Sequence, residues 1–61
     1  MDIFVERLND LMKEKEITRY KLAKDIGVNK QTVTFWANGI NEPKIYYLYK
    51  LAVYFNGSYR K

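Results

Sequence analysis

Apolar residues recur along this 61-residue chain at the three- and four-residue spacing that is typical of amphipathic helices. The pattern predicts four helices and a short tail, over about residues 2–15, 18–26, 30–38, 43–55 and 56–61. So short a chain has room for one domain, spanning residues 1–61, which buries only about 60% of the surface that its unfolded form exposes. The expected fold class is therefore all-α.

Each predicted helix has one apolar face that is expected to form the core. The inward residues are predicted to be Phe4, Leu8, Leu11 and Met12 in the first helix, Leu22, Ala23 and Ile26 in the second, Val33 and Trp36 in the third, and Ile45, Leu48, Leu51, Ala52 and Phe55 in the fourth. Another face of the first helix carries an acid every four residues: Asp2, Glu6, Asp10 and Glu14. Because like charges at this spacing repel each other, we interpret the row as a solvated surface.

Local signals between residues 18 and 38 predict two short helices joined by a tight turn. Thr18 suits the N-cap of the second predicted helix, and Asn29 suits that of the third. Gly27 is predicted to end the second helix, since glycine adopts the left-handed conformation without steric cost. Two helices joined in this way form a helix-turn-helix, whose second helix usually enters the major groove of DNA.

The fourth predicted helix has its own boundary signals. Pro43 suits the first helical position, where the missing N–H is not needed. Asn38-Gly39 is predicted to end the third helix, and Asn56-Gly57 to end the fourth. Residues 58–61 are then expected to form a frayed tail.

The composition excludes several classes of chemistry. The chain has no cysteine and no histidine, which excludes disulfides, Cys/His zinc sites, thiol nucleophiles and imidazole catalysis. We expect no enzyme activity and no metal or other cofactor, because the acids form a solvated row. We also expect no small-molecule ligand, because 61 residues leave no room for an inducer-sensing domain. The apolar runs fall short of the roughly 20 residues that span a bilayer, and the N-terminus lacks the order of a signal peptide. We therefore expect no membrane contact and a cytoplasmic location.

The net charge of +4 is distributed unevenly. Six bases balance six acids up to Val28, whereas the bases after that point face only Glu42: they are Lys30, Lys44, Lys50, Arg60 and Lys61. An uneven basic charge suits a polyanionic partner. The alternative is that the charge serves solubility alone.

The stretch LNDLMKEKEITRYKLAKDIGVNKQTVTFWANGINEPKIYYLYKLAVYF resembles the Xre/Cro/C1 family of helix-turn-helix domains, to which the lambdoid phage repressors belong. The resemblance rests on the order and spacing of Leu22-Ala23, Gly27-Val28, Val33 to Trp36, Asn38-Gly39, Pro43 and Leu51-Ala52. It implies a compact four-helix, lambda-repressor-like DNA-binding domain. The implied function is sequence-specific regulation of transcription, and the resemblance favours a repressor of phage or bacterial origin over an activator.

The chain departs from this family at several positions. Arg19 replaces a common glutamine, and Glu16 replaces a glycine that is often found in the first loop. Many relatives pair an arginine with a glutamate where this chain has Met12 and Ala37, so we predict that Met12 packs near Ala37 and Trp36. The fifth helix that closes the core of relatives is expected to be absent or vestigial.

The DNA contacts that we predict for this domain fall into two groups. We predict that bases are read by Lys30, Gln31 and Thr34, with Phe35 at the margin, and that phosphates are held by Arg19, Asn29, Asn38 and Lys44. The alternative for each is plain surface exposure, with Asn29 acting first as a cap and Phe35 shielding the core. The expected partner is a double-stranded DNA operator.

Tyrosines crowd the last quarter of the chain. They pack along the edges of the fourth helix in one interpretation; in the other they form a homodimer surface, for which the candidates are Tyr49, Val53, Tyr54 and Tyr59. The alternative function is a protein-interaction or antitoxin-like module that keeps the fold without binding DNA.

Overall fold

A computed structural model describes the backbone of residues 2–60 and the side chains of residues 3–56. Over that range the chain forms four helices and no strand: α1 (Asp2–Glu14), α2 (Arg19–Ile26), α3 (Lys30–Ala37) and α4 (Ile45–Arg60). The all-α prediction is confirmed. The first three helices agree with the predicted bounds to within one residue.

The core lies where α2 packs against α3, with α1 against α3 and α4 against α2. Leu22 and Val33 are its two largest fully buried side chains. Met12 is buried in the same core as Trp36 and Ala37, as predicted. Apolar packing therefore replaces an ion pair at this position, which avoids the cost of desolvating two charges.

The ends of α2 and α3 confirm the predicted glycine stops. Gly27 and Gly39 have φ of +95° and +76°. After each glycine, an N–H turns back to a carbonyl five residues earlier, from Val28 to Ala23 at 3.0 Å and from Ile40 to Phe35 at 2.9 Å. This is the Schellman motif, in which a left-handed residue lets the chain satisfy the last carbonyls of a helix.

The end of α1 has the same geometry without a glycine. Ile17 donates its N–H to the carbonyl of Met12 at 2.8 Å, and Glu16 occupies the left-handed position with φ of +56°. Ile17 and Met12 are both buried, which is the apolar contact that accompanies this motif. Glu16 therefore occupies the position that a left-handed glycine holds at the ends of α2 and α3, although a side chain is disfavoured at that φ.

Both predicted boundaries of α4 are wrong. The helix begins at Ile45, two residues after the buried Pro43, and the carbonyl of Lys44 accepts its first hydrogen bond. Proline does not mark the first turn by itself, because its φ suits extended chain as well as helix. The helix then continues through Gly57 to Arg60. A glycine inside a helix costs about 1 kcal/mol, so it weakens a helix without necessarily ending it.

The predicted inward face of α4 is only partly right. Leu51 and Phe55 are buried, as predicted, whereas Ile45, Leu48 and Ala52 are exposed. In their place Tyr47 and Tyr54 pack against the core. Aromatic and aliphatic residues lie on every side of this helix, so apolar spacing alone does not single out the buried face.

An open groove separates α1 from α4. Its volume is about 600 Å³, and the apolar side chains along it include Phe4, Leu8, Leu11, Leu48, Leu51 and Phe55. The groove is lined by α1 and α4, whereas the close contact described above is between α2 and α3. The two sides of the domain are therefore packed to different degrees.

Candidate nucleic-acid interface

The start of α3 is fixed by a side-chain cap. The Asn29 side-chain oxygen accepts the backbone N–H of Thr32 and also its hydroxyl, each at 2.9 Å. The cap was predicted, but the hydroxyl of Thr32 was missed, although a polar residue three positions after a cap is a recognisable signal. Two hydrogen bonds to one oxygen hold the first turn of α3 in place.

The outward face of α3 is polar. Lys30 and Gln31 are exposed, and Thr34 lies one turn further along and is half-buried. Val33 and Trp36 are buried on the other side. Because no acid occurs in α3, this face offers an ammonium group, an amide and a hydroxyl without a competing carboxylate.

Phe35 lies beside this face and is half-buried. Its ring is therefore shared between the surface and the margin of the core. Both roles considered for it, contact with a thymine methyl group and shielding of the core, are compatible with this position.

The start of α2 provides a second positive region. The Thr18 hydroxyl oxygen accepts the N–H of Lys21 at 3.1 Å, which confirms Thr18 as the N-cap. Arg19 follows as the first helical residue and is half-buried. The first turn holds no acid, so the guanidinium and the positive end of the helix dipole have the same sign and favour an anion.

The other predicted phosphate contacts are exposed polar side chains on separate segments. Asn29 and Asn38 flank α3, and Lys44 directly precedes α4. The side-chain oxygen of Asn29 is occupied by the cap, so only its amide NH₂ could be offered to a phosphate. Lys44 lies beside the first N–H groups of α4, which a helix leaves without intrahelical partners.

Side chains of the outer helices hold the C-terminal ends of α2 and α3. Asn9 in α1 donates its side-chain N–H to the carbonyl of Ala37 at 3.0 Å, and Lys50 in α4 donates to the carbonyl of Ile26, also at 3.0 Å. Sequence reasoning missed both. An asparagine inside a helix is unfavourable unless it finds a partner, which was the available signal for Asn9, whereas a lysine on a helix gives no such signal.

A third link joins α4 to α2. The Tyr54 hydroxyl donates to the Asp25 carboxylate at 2.8 Å, and Lys21 pairs with the same carboxylate oxygen at 3.1 Å. The hydrogen bond from Tyr54, followed by that from Lys21, lowers the pKa of Asp25. Burial, together with the hydrogen bond to Asp25, raises the pKa of Tyr54 to about 12. The link therefore requires a charged carboxylate and a neutral phenol.

The comparison with protein families decides the classification. A helix-turn-helix family model matches residues 8–61, which is nearly the whole chain, and the family is the Cro/C1 type expected from the sequence. The chain belongs to this family. No match was found among curated proteins or among solved structures.

Members of this helix-turn-helix family are DNA-binding regulators, and the family is not one of enzymes. Among the described side chains of residues 3–56, no group of three or more acidic, cysteine or histidine residues could hold a metal ion. No helix in the described part of the chain is long and apolar enough to cross a membrane.

The candidates for a dimer surface have different environments in this helix-turn-helix domain. Tyr49 and Val53 lie one turn apart on α4 and are 70% and 52% exposed. Tyr54 is half-buried, and its hydroxyl is engaged by Asp25. The side chain of Tyr59 lies outside the described residues.

Proposed function

We propose that this domain is a sequence-specific regulator of transcription that binds double-stranded DNA and reads the major groove with α3. One observation carries the proposal: α3 exposes Lys30 and Gln31 on the side opposite to the buried Val33 and Trp36. A lysine suits the O6 and N7 acceptors of guanine, and a glutamine suits the N6/N7 edge of adenine. Thr34, one turn on, would contact a third base or a thymine methyl group.

Phosphate contacts would set the register of α3 in the groove. Arg19, at the positive end of α2, is the strongest of these, because an anion there would offset both the guanidinium charge and the helix dipole. Asn38 and Lys44, which follow the C-terminal end of α3, would contact the DNA backbone there. Contacts of this kind carry no base preference, but they orient the helix that does.

Repression is the regulatory effect that the family resemblance favours, by occupation of an operator. A homodimer would place two copies of α3 on half-sites about 34 Å apart, one turn of DNA. The exposure of Tyr49 and Val53 supports α4 as its surface, since tyrosine is enriched in interfaces. Access to the genome would require the cytoplasmic location expected from the sequence.

Substitutions in α3 and before α4 test the division between reading and positioning. Lys30→Ala or Gln31→Ala is expected to cost about 1–3 kcal/mol of binding free energy and to relax the preference at one or two base positions. Lys44→Ala is expected to weaken binding to all sequences alike and to reduce the salt slope by about 1. The measurement is selection of preferred sites from random duplexes, followed by mobility shifts at several salt concentrations.

Lys24→Ala is the matched control, because Lys24 is an exposed lysine in the last turn of α2. It is expected to leave the selected sequence unchanged. A uniform loss across all sequences from Lys30→Ala, Gln31→Ala and Lys44→Ala would exclude direct base reading by α3.

A second candidate function is a protein-interaction module. The observation that favours it is the exposed apolar side of α4, which includes Ile45, Tyr46, Tyr49 and Val53. A mobility shift on duplex DNA separates the two functions, because phosphate contacts make affinity fall steeply with salt. Absence of salt-dependent binding would leave the interaction module as the better account.

A further inference from the structure

Asn9 links α1 directly to the C-terminal end of α3. One N–H of its side-chain amide donates to the carbonyl of Val5 in the preceding turn at 2.9 Å, and the other donates to the carbonyl of Ala37 at 3.0 Å. Two carbonyl oxygens around one end of the amide identify that end as the nitrogen, since an amide oxygen could donate to neither. Both donors of Asn9 are therefore used.

Ala37 is the last residue of α3, and the last carbonyls of a helix have no partner within it. Asn9 supplies that partner from a different helix. The apolar side chains that α1 and α3 bury in the core, such as Leu8 and Trp36, attract each other without a preferred direction. A hydrogen bond has a narrow range of distance and angle, so the contact with Asn9 restricts the rotation and sliding of α3.

The size of this restriction matters for reading bases. Side chains extend about 6 Å from a helix axis, so a rotation of about 10° moves their ends by about 1 Å. The distances that make good hydrogen bonds span only about 0.5 Å. A small rotation of α3 would therefore move Lys30 and Gln31 out of register with base edges, while leaving the domain folded.

We propose that Asn9 is a positioning residue that sets the orientation of α3 and thereby base discrimination. This inference rests on the proposed function, because it assigns Asn9 a role in DNA reading that acts through Ala37 and not through contact with DNA. Asn9 is uncharged, so its loss is expected to leave the number of phosphate contacts unchanged.

The test uses two substitutions of different reach. Asn9→Ala removes both hydrogen bonds, whereas Asn9→Ser keeps a hydroxyl that can bond to the carbonyl of Val5 within the same helix but is too short to reach Ala37. The readout is the dissociation constant for a scrambled duplex divided by that for a duplex of the same composition that the wild-type domain selects from random DNA. Urea denaturation establishes that each variant is folded under the assay conditions.

Both variants are expected to lower this ratio about tenfold, the order of one base contact, with an unchanged salt slope. Asn56→Ala, at an exposed asparagine of α4, and Leu48→Ala, which perturbs packing in the groove between α1 and α4 without removing either hydrogen bond of Asn9, are expected to leave the ratio unchanged. A folded Asn9→Ser variant with the wild-type ratio would overturn the inference and leave Asn9 a structural residue. If the wild-type domain itself did not distinguish the two duplexes, the proposed function would fail first.

Discussion

The two sides of this domain differ in how firmly they are held. On the α2–α3 side Leu22 and Val33 are completely buried, both helices have side-chain N-caps, and both end in a left-handed glycine. On the α1–α4 side a groove of about 600 Å³ stays open and Leu48 is 36% exposed. The difference shows that close packing and capping are concentrated in the pair of helices whose orientation the proposed DNA contact depends on.

The largest test of this comparison is one substitution made on both sides. Leu22→Ala is expected to lower the free energy of unfolding by about 2–5 kcal/mol, because it removes a completely buried side chain and leaves a cavity. Leu48→Ala, at the edge of the groove, is expected to cost about 1 kcal/mol, since Leu48 is already 36% exposed and alanine favours helix. Urea denaturation monitored by circular dichroism measures both. Equal losses would mean that the two sides are packed alike.

The same contrast explains how far the sequence predicted the fold. The α2–α3 side was predicted to within a residue, because Thr18, Gly27 and Asn29 act within one turn of themselves. On the other side, Pro43 and Gly57 permit several conformations, so neither of the α4 boundaries assigned from them was right. A local signal predicts a helix boundary well when the residue satisfies the unpaired backbone groups of the helix. It predicts the boundary poorly when the residue is merely compatible with a boundary at that position.

The candidate site was predicted unevenly for a related reason. The exposure of Lys30 and Gln31 follows from helical spacing once Trp36 is assigned to the core. The hydrogen bonds from Asn9 and Lys50 join helices that are far apart in sequence. No single-helix pattern contains the partner of such a bond, so these contacts required the folded structure.

Alkaline pH tests the link between the two sides. Tyr54 has its pKa raised to about 12 in the folded chain, above the value of about 10 expected in the unfolded chain. The neutral hydroxyl therefore contributes stability that is fully present below pH 10 and is lost as the pH rises towards 12. Tyr54→Phe is expected to be less stable than the wild type at pH 7, with the difference shrinking between pH 10 and 12.

Urea denaturation at a series of pH values measures this difference. Tyr49→Phe is the control for the loss of an exposed phenol from α4. A wild-type minus Tyr54→Phe difference that stayed constant up to pH 12 would contradict a stabilising role for the hydrogen bond to Asp25.

The smallest expected effect is that of replacing Glu16, in the turn at the end of α1. Glu16, Gly27 and Gly39 occupy the same position in three Schellman motifs, but only Glu16 carries a side chain at positive φ. Glu16→Gly is expected to raise the free energy of unfolding by about 0.5–1 kcal/mol, because relief of the left-handed strain outweighs the added entropy of the unfolded chain. Thermal and urea denaturation measure the gain.

Glu16→Gln separates backbone strain from charge, since it keeps the side chain and removes the negative charge near the C-terminal end of α1. A gain from Glu16→Gln as large as that from Glu16→Gly would assign the effect to the helix dipole. The reverse substitution, Gly27→Ala, introduces a side chain at φ of +95° where a Cβ would meet no atom within 4 Å. Its cost is therefore a matter of backbone conformation alone. We expect Gly27→Ala to lower the free energy of unfolding by about 1–2 kcal/mol. Such a loss would show that glycine keeps the turn between α2 and α3 free of the strain that Glu16 carries at the end of α1.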